Sequence, residues 1–276
     1  MSRTRQLVIT FLGTRGEIEA RSRQHRRHSS MLVERGRARV MIDCGADWLH
    51  LVTRLSPSAI LLTHAHPDHA AGLARGAPCR VYATATTWRS LPAWPVRDRR
   101  VMPVRKPITI GGIRFEAYPV EHSIRAPAVG YRISANRAQL FYVPDVVAIR
   151  NKGRALRGVN VYVGDGAAIS RPIVRRRGRA EIGHTSIRSQ LDWCKAERVG
   201  IAYFTHCGSE IVTGDARRVG HAVGRLGAER GVDVRFARDG LRLVLDGGKV
   251  RSADRGRAIW SRFAARNPSR PGHARR

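Results

Sequence analysis

Four side chains that can bind metal ions lie within six consecutive residues, His64-Ala65-His66-Pro67-Asp68-His69. Residues two apart on an extended segment point to the same side, so His64 and His66 face one space. Asp68 and His69 follow at the predicted start of a helix and face the same space. The loop could therefore hold two metal ions, with the first two histidines on one and Asp68 and His69 on the other. Imidazole and carboxylate ligands favour zinc, manganese or iron over calcium.

The elements that position this loop are an apolar strand before it, residues 59–63, and a helix-like segment after it, residues 70–73. A lone histidine beside a strand is usually an ordinary core or surface residue. Here three of the chain's 11 histidines fall in one short loop at the end of a buried-type strand. Such a cluster is typical of a metal site.

Three further apolar runs predict strands that deliver more ligands at their carboxyl ends. Residues 113–120 lead to His122, residues 139–143 lead to Asp145, and residues 199–204 lead to His206. Sites in open α/β sheets lie at the carboxyl ends of strands, so we expect these side chains to meet. A carboxylate at Asp145 can bridge two cations that share a hydroxide, which is a strong nucleophile at neutral pH.

Three residues have supporting roles in this prediction. Asp43 and Asp165 each follow a predicted strand, and we expect them to orient ligand histidines. A structural carboxylate beside a turn is the alternative for Asp165. His184 precedes a predicted helix over residues 189–197, where a helix N-terminus favours contact with a phosphate. The alternative is a helix cap made by Thr185 or Ser186, with His184 merely exposed.

The composition is strongly basic, with 51 Lys and Arg against 21 Asp and Glu and a formal net charge of +30. Such a charge favours polyanionic partners, nucleic acid above all. Codon bias in a GC-rich genome would explain Arg in place of Lys, but not the shortage of acids. Basic segments over residues 15–27 and 173–179 are expected to flank the site, with Arg15, Arg175 and Arg177 binding phosphate or a polyanion. Solvated loops are the alternative.

The length of 276 residues fits one hydrolase domain over residues 1–248, followed by a basic, flexible tail over 249–276. The four cysteines are scattered, which argues against a disulfide framework and a zinc ribbon. The N-terminus lacks a signal-peptide hydrophobic region, and no run of about 18 apolar residues exists. A cytoplasmic protein with no membrane association is expected.

The motif and the strand-end residues resemble the metallo-β-lactamase fold superfamily, over nearly the whole chain up to about residue 245. Residues 119–123, residues 142–145 and the isolated His184 resemble its phosphodiesterase branch. That branch includes ribonuclease Z and the cyclic phosphodiesterase of the carbon–phosphorus lyase pathway. The resemblance implies an αββα sandwich, in which two mixed β-sheets are flanked by helices, and suggests a homodimer.

The resemblance also implies a role for each site residue. One divalent ion, zinc or manganese, would be held by His64, His66 and His122. A second would be held by Asp68, His69 and His206, with Asp145 as the bridge. His184 would bind the scissile phosphate or protonate the leaving oxygen, and Asp68 and His184 are the residues on which catalysis is expected to depend.

The chain departs from both named relatives. The first loop, residues 13–30, has no cysteine, whereas the cyclic phosphodiesterases carry a cysteine-rich zinc site there. No long arm like that of ribonuclease Z is predicted between Asp145 and His206. The substrate is therefore left open among a cyclic phosphate, a nucleotide and an RNA end.

Three hypotheses for function follow. The first is a dinuclear phosphodiesterase that uses a metal-bridging hydroxide. The second is a hydrolase of lactone, thioester or β-lactam bonds with the same metal site, which the Arg-rich segments disfavour. The third is a non-catalytic nucleic-acid-binding protein with structural metals, which the open ligand set disfavours because structural sites usually carry four protein ligands.

Overall fold

The first half of the chain builds most of one mixed sheet. A computed structural model describes residues 6–253. Its first six strands are β1 (Leu7–Gly13), β2 (Ser30–Arg35), β3 (Ala38–Ile42), β4 (Ala59–Leu61), β5 (Arg80–Ala83) and β6 (Arg99–Val101). The connections contain α1 (Val52–Leu55), α2 (Pro67–Ala70), α3 (Ala85–Ser90) and 3-10 turns at Ala46–Trp48 and Ala71–Leu73.

The second half builds the other sheet and the longer helices. Its strands are β7 (Ile108–Ile110), β8 (Ile113–Glu121), β9 (Ala128–Ala135), β10 (Ala138–Tyr142), β11 (Ala148–Ile149), β12 (Val161–Asp165), β13 (Ile173–Arg177), β14 (Ala180–His184), β15 (Ile201–Thr205) and β16 (Asp233–Phe236). Its helices are α4 (Lys152–Leu156), α5 (Ile187–Ala196), α6 (Ser209–Val212) and α7 (Ala216–Ala228). Two last strands, β17 (Arg242–Asp246) and β18 (Lys249–Ser252), return to the first sheet.

Within the described residues the first sheet has the order β18-β17-β1-β2-β3-β4-β5-β6, and β1 pairs antiparallel with both β2 and β17. The second has the order β11-β8-β9-β10-β12-β15-β16, with β7 beside β8. Strands β13 and β14 form a separate hairpin. Five strands end at the site. In the first sheet β3 is parallel to β4, and in the second sheet β12 is parallel to both β10 and β15, so the carboxyl ends of neighbouring strands lie at the same edge.

Three apolar layers hold the sheets and helices together. The central layer lies between the two sheets and contains Ile9 and Val40 from the first sheet with Phe115 and Leu140 from the second. The outer layers join each sheet to its own helices. Strands β4 and β12 are buried along their whole length, which explains their continuous apolar sequences. The predicted αββα sandwich is confirmed.

Two boundaries differ from the prediction. Helix α5 starts at Ile187 rather than at residue 189, because the Ser186 hydroxyl accepts a hydrogen bond from the Ser189 amide at 3.2 Å and caps the helix. Residues 249–252, predicted as the start of the flexible tail, form β18 against β17. Gly247 and Gly248, with φ of 56° and 89°, make the turn that returns the chain. The rest of that predicted tail, from residue 254, lies outside the described residues, and the domain division stays a prediction.

No helix in the range 6–253 combines the length and the apolar character needed to cross a membrane.

Candidate metal centre

The first histidine cluster joins the end of β4 to the end of β8. His64 and His66 follow β4, and His122 follows β8. The His64 Nε2 atom lies 2.9 Å from His66 Nδ1, and the His122 Nε2 atom lies 3.3 Å from the same nitrogen. Three ring nitrogens therefore converge on one point, and these residues could hold a metal ion.

The second cluster joins the start of α2 to the end of β15. Pro67 opens α2, which places Asp68 and His69 in its first turn, and both side chains are buried. Asp68 Oδ2 lies 3.0 Å from His69 Nε2 and 3.2 Å from His206 Nε2. His206 has a left-handed backbone, with φ of 53°, directly after β15. Such a conformation is uncommon outside glycine and is found disproportionately at functional sites.

Asp145 lies between the two clusters. Its Oδ2 atom is 2.8 Å from His69 Nε2, and its Oδ1 atom is 3.3 Å from His206 Nε2 and 3.6 Å from His122 Nε2. The Oδ1 atom therefore lies near a histidine of each cluster and the Oδ2 atom faces His69, so the carboxylate lies where it could bridge two cations. All seven predicted ligands are thus brought together by the fold.

Asp43 lies behind both clusters and is completely buried. Its Oδ2 atom accepts a hydrogen bond from His69 Nδ1 at 2.9 Å. The Thr63 hydroxyl donates to the same carboxylate at 2.9 Å, so it accepts from His64 Nδ1 at 3.0 Å. One carboxylate consequently fixes the Nδ1 side of a histidine in each cluster and leaves the Nε2 atoms of both rings facing the site.

Asp165 and His184 form a second pair. Asp165 Oδ2 accepts from His184 Nδ1 at 2.8 Å and from the Val146 amide at 3.0 Å. Burial alone would lower the pKa of His184, but the neighbouring carboxylates of Asp165 and Asp145 raise it to about 9. His184 closes β14 rather than standing free beside a helix cap, and its ring lies between the clusters and solvent.

The donor set fits metal ions. His69 Nε2 and Asp145 Oδ2 are buried and face each other, yet neither has a hydrogen bond in the range 6–253. Burial lowers the pKa of His64 and brings that of His66 to about 4, so both rings are neutral. Burial raises the pKa of Asp68 and Asp145, but the surrounding histidines have the larger effect and lower it well below its usual value. Both carboxylates are therefore ionised. Neutral imidazoles and ionised carboxylates are the metal-binding forms.

Arg15 does not point at the site as a free cation, which contradicts its predicted role in phosphate binding. It is 2% exposed, and its Nη2 atom contacts Asp47 at 2.9 Å and His28 Nε2 at 2.8 Å. Its other guanidinium nitrogen donates to the carbonyl oxygens of Gly16 and Ile18. Arg15 therefore stabilises the first loop, because its two terminal guanidinium nitrogens contact groups of that loop and Asp47.

The mouth of the site is lined by the first loop on one side and by the β13–β14 hairpin on the other. The first loop contributes Gly16, Glu17 and Ile18, and the hairpin contributes Arg175 and Arg177, which are exposed. Sequence reasoning missed Thr63, Glu17 and the hairpin. The polar residue at the end of an apolar strand was the available signal for Thr63, and the Arg177-Gly178-Arg179 turn was the signal for the hairpin.

Comparison with known proteins places this geometry in a family. A family model described as the beta-lactamase superfamily domain matches residues 38–207, which span α2 and every ligand position. The chain belongs to this family. The predicted superfamily is thereby confirmed. Membership of this family implies that the clusters of histidine and aspartate bind divalent metal ions.

Among curated relatives, a ribonuclease Z from Methanopyrus kandleri is 32% identical over 181 residues, covering 57% of this chain and 62% of that protein. The chain thus matches less than two thirds of that relative's length. Among solved structures, the metallo-beta-lactamase fold protein YhfI from Bacillus subtilis has a TM-score of 0.66 at 13% identity, covering 87% of this chain and 100% of that one.

A diphosphatase of the PhnP family has a TM-score of 0.64 at 20% identity, covering 87% of this chain and 97% of that one. These two structural similarities concern the fold. The ribonuclease Z match supports the phosphodiesterase branch that the sequence indicated.

Proposed function

We infer that this protein is a metal-dependent phosphodiesterase. The observation that carries the inference is the pair of ligand clusters joined by Asp145, with His184 beside them and a basic hairpin at the mouth. Neutral esters gain nothing from guanidinium groups at the mouth, whereas phosphodiesters do. The similarity to a protein named ribonuclease Z supports the same choice.

Each ligand has a place in this proposal. His64, His66 and His122 would hold one divalent ion, and Asp68, His69 and His206 would hold the other, with Asp145 between them. Two zinc or manganese ions bound there would supply charge neutralisation at the phosphate and a hydroxide nucleophile at neutral pH. Through its contacts with Thr63 and His69, Asp43 leaves the Nε2 atoms of His64 and His69 facing the space where the ions would bind.

His184 supplies the proton that hydrolysis requires. The oxygen of water forms a new bond to phosphorus, the ester P–O bond breaks, and the leaving oxygen must take up a proton. Because Asp165 accepts from His184 Nδ1, the Nε2 atom of that ring is the one directed to substrate. His184 would donate from Nε2 to the leaving oxygen or hold a phosphate oxygen.

The test uses protein stripped of metal and reloaded with zinc or manganese, assayed on bis(p-nitrophenyl) phosphate. We expect two bound ions per chain and metal-dependent turnover. His66→Ala should bind fewer ions and lose at least 1,000-fold in kcat/KM, the scale of a lost catalytic group. His50→Ala, at an exposed histidine, should match the wild type.

Inorganic phosphate separates the competing reactions. A phosphodiesterase should be inhibited by it, whereas a lactone or thioester hydrolase should be indifferent. Full metal loading without turnover of any phosphodiester would refute the proposal. A cytoplasmic location and a homodimer stay predictions, which cell fractionation and light scattering test.

A further inference from the structure

Two adjoining cavities open onto the candidate metal centre, and they differ in charge. They share Ile173 and His184. The first, of about 650 Å³, reaches His206 of the second cluster. The other, of about 920 Å³, reaches His66 and His122 of the first cluster. Both volumes lie in the range of ligand-binding pockets.

The larger cavity is basic. Its wall carries four arginines and no carboxylate among the described lining residues, namely Arg125, Arg175, Arg176 and Arg177. Only Arg176 has a close ionic partner among them, Glu181 at 2.9 Å, and that carboxylate lies outside the lining. The remaining guanidiniums are exposed, and each can bind two oxygens of one phosphate.

The smaller cavity carries carboxylates as well as cations. Glu17 from the first loop and Glu210 from α6 line it together with Arg171, His184 and His206. A phosphate group entering this cavity would meet two carboxylates, and like charges at close range repel.

The hairpin joins the basic cavity to the reacting position. Successive side chains alternate along a strand, so Arg175 and Arg177 share a face of β13 with Ile173. Ile173 is paired in register with His184 at the base of the hairpin. Phosphates held along β13 are therefore led toward His184 and the ligand clusters.

We propose that the substrate is the end of a polynucleotide strand, bound with its phosphate-rich body in the basic cavity and its terminal residue in the acidic one. This rests on the proposed phosphodiesterase function and adds the direction of binding to it. Cleavage removes the terminal residue, because a longer strand segment would carry phosphates past Glu17 and Glu210.

The experiment measures hydrolysis of RNA and DNA strands of two, four and eight nucleotides, labelled at each end in turn. We expect release from one end only, and a KM at least tenfold lower for eight nucleotides than for two. Cleavage of either RNA or DNA in this manner supports the proposal and identifies the polymer. Internal cleavage, or a KM independent of length, would overturn it.

Matched variants locate the effect. The double variant Arg175→Ala, Arg177→Ala should raise KM for the eight-nucleotide strand at least tenfold more than KM for the two-nucleotide strand. Arg37→Ala, Arg137→Ala removes the same charge from exposed turns at the opposite strand ends and should change neither value. Equal effects of the two double variants would refute the role of the hairpin.

The acidic cavity has its own test. The wild type should reject a strand whose terminal residue carries an additional phosphate by at least tenfold in kcat/KM, and Glu17→Gln, Glu210→Gln should relax this rejection. Bis(p-nitrophenyl) phosphate serves as the reference substrate. No turnover of it would refute the phosphodiesterase itself, whereas normal turnover with no preference for strand ends would refute only the present proposal.

Discussion

Asp43 contacts both histidine clusters although it belongs to neither ligand set. Its contacts to His69 and, through Thr63, to His64 decide which ring nitrogen of each histidine faces the site. The left-handed backbone of Asp43, with φ of 61°, turns the chain after β3 so that the carboxylate reaches both. The residue that sets the geometry is therefore separate from those that would bind the ions.

Replacing Asp43 by Asn tests this. An amide accepts with one atom only, so it cannot serve Thr63 and His69 as the carboxylate does. We expect metal affinity to fall 10- to 100-fold, the usual cost of losing such a partner. Competition with a chelator measures it, and Asp98→Asn, at an exposed carboxylate, is the control. Unchanged affinity in Asp43→Asn would show that Thr63 alone orients the histidines.

The first loop contains buried groups that titrate. Burial lowers the pKa of His25 and of His28 to about 4, whereas burial raises the pKa of Asp239 to about 6. Between pH 6.5 and 4 the unfolded chain takes up two histidine protons that the folded loop does not, while Asp239, which accepts hydrogen bonds from the loop, takes up one proton in the folded chain. The free energy of unfolding should therefore decrease as the pH is lowered through this window, by about 1.4 kcal/mol per pH unit for the net proton.

Urea unfolding at pH 6.5, 5.5 and 4.5 measures that slope. In His25→Gln one of the two histidine protons is missing, so the contribution of this loop to the slope should nearly vanish. His50→Gln, at an exposed position, should leave the slope as in the wild type. A slope in His25→Gln equal to that of the wild type would contradict the assignment.

The sequence allowed prediction of the ligand positions but not of every charge. Four potential ligands within six residues indicate a metal site by themselves, and the strand-end pattern indicated His122, Asp145 and His206. The burial of Arg15 could not be predicted from the sequence, because its partner Asp47 lies 32 residues away and the pairing exists only in the folded chain. Its burial became visible only with the tertiary structure.

At the level of elements, the site depends on how the two sheets are joined behind the metal loop. The Tyr131 hydroxyl on β9 donates to the Leu62 carbonyl oxygen at 2.7 Å, and the Val129 amide donates to the Thr63 carbonyl at 3.1 Å. These bonds connect the second sheet to the end of β4 just before His64. The loop is thus fixed from both sheets.

Tyr131→Phe should destabilise the fold by about 1–3 kcal/mol, because it leaves the buried Leu62 carbonyl without that donor. Tyr142→Phe is a matched control, since Tyr142 is equally buried but its hydroxyl has no hydrogen-bond partner among the described residues. That variant should be as stable as the wild type or more so. Chemical denaturation measures both, and equal losses in the two variants would contradict the role of the bond.

The strands that could be predicted from the sequence were those with long apolar runs. Strands β8, β10 and β15 were expected within about two residues of their observed ends, because long apolar runs mark buried strands. The β13–β14 hairpin was expected only as a basic segment, since β13 carries three exposed arginines and no residue of either strand is fully buried. Strand β18 was missed for the same reason, as three of its four residues are exposed.

The whole molecule is strongly basic, with a formal charge of +30, and the hairpin concentrates part of that charge beside the site. Binding of a single-stranded oligonucleotide should therefore weaken with salt, with a logarithmic slope of about −0.7 per phosphate contact. In a His66→Ala background, to prevent cleavage, removing Arg175 and Arg177 should reduce the magnitude of the slope by about 1.4, that is two contacts of 0.7. An unchanged slope would mean that the charge of the hairpin is not used, and fluorescence anisotropy over a potassium chloride series measures it.

The pairing of β1 with β17 has a consequence for how the protein is made. On the ribosome, β1 can pair with β2 as soon as residue 35 emerges, but its other edge waits for residues 242–246. At synthesis rates of about 5–20 residues per second, that wait lasts roughly 10 to 40 seconds. An unpaired strand edge invites pairing with other chains. The nascent protein therefore exposes an unpaired strand edge during translation, and its yield should depend on how quickly the last strands are delivered.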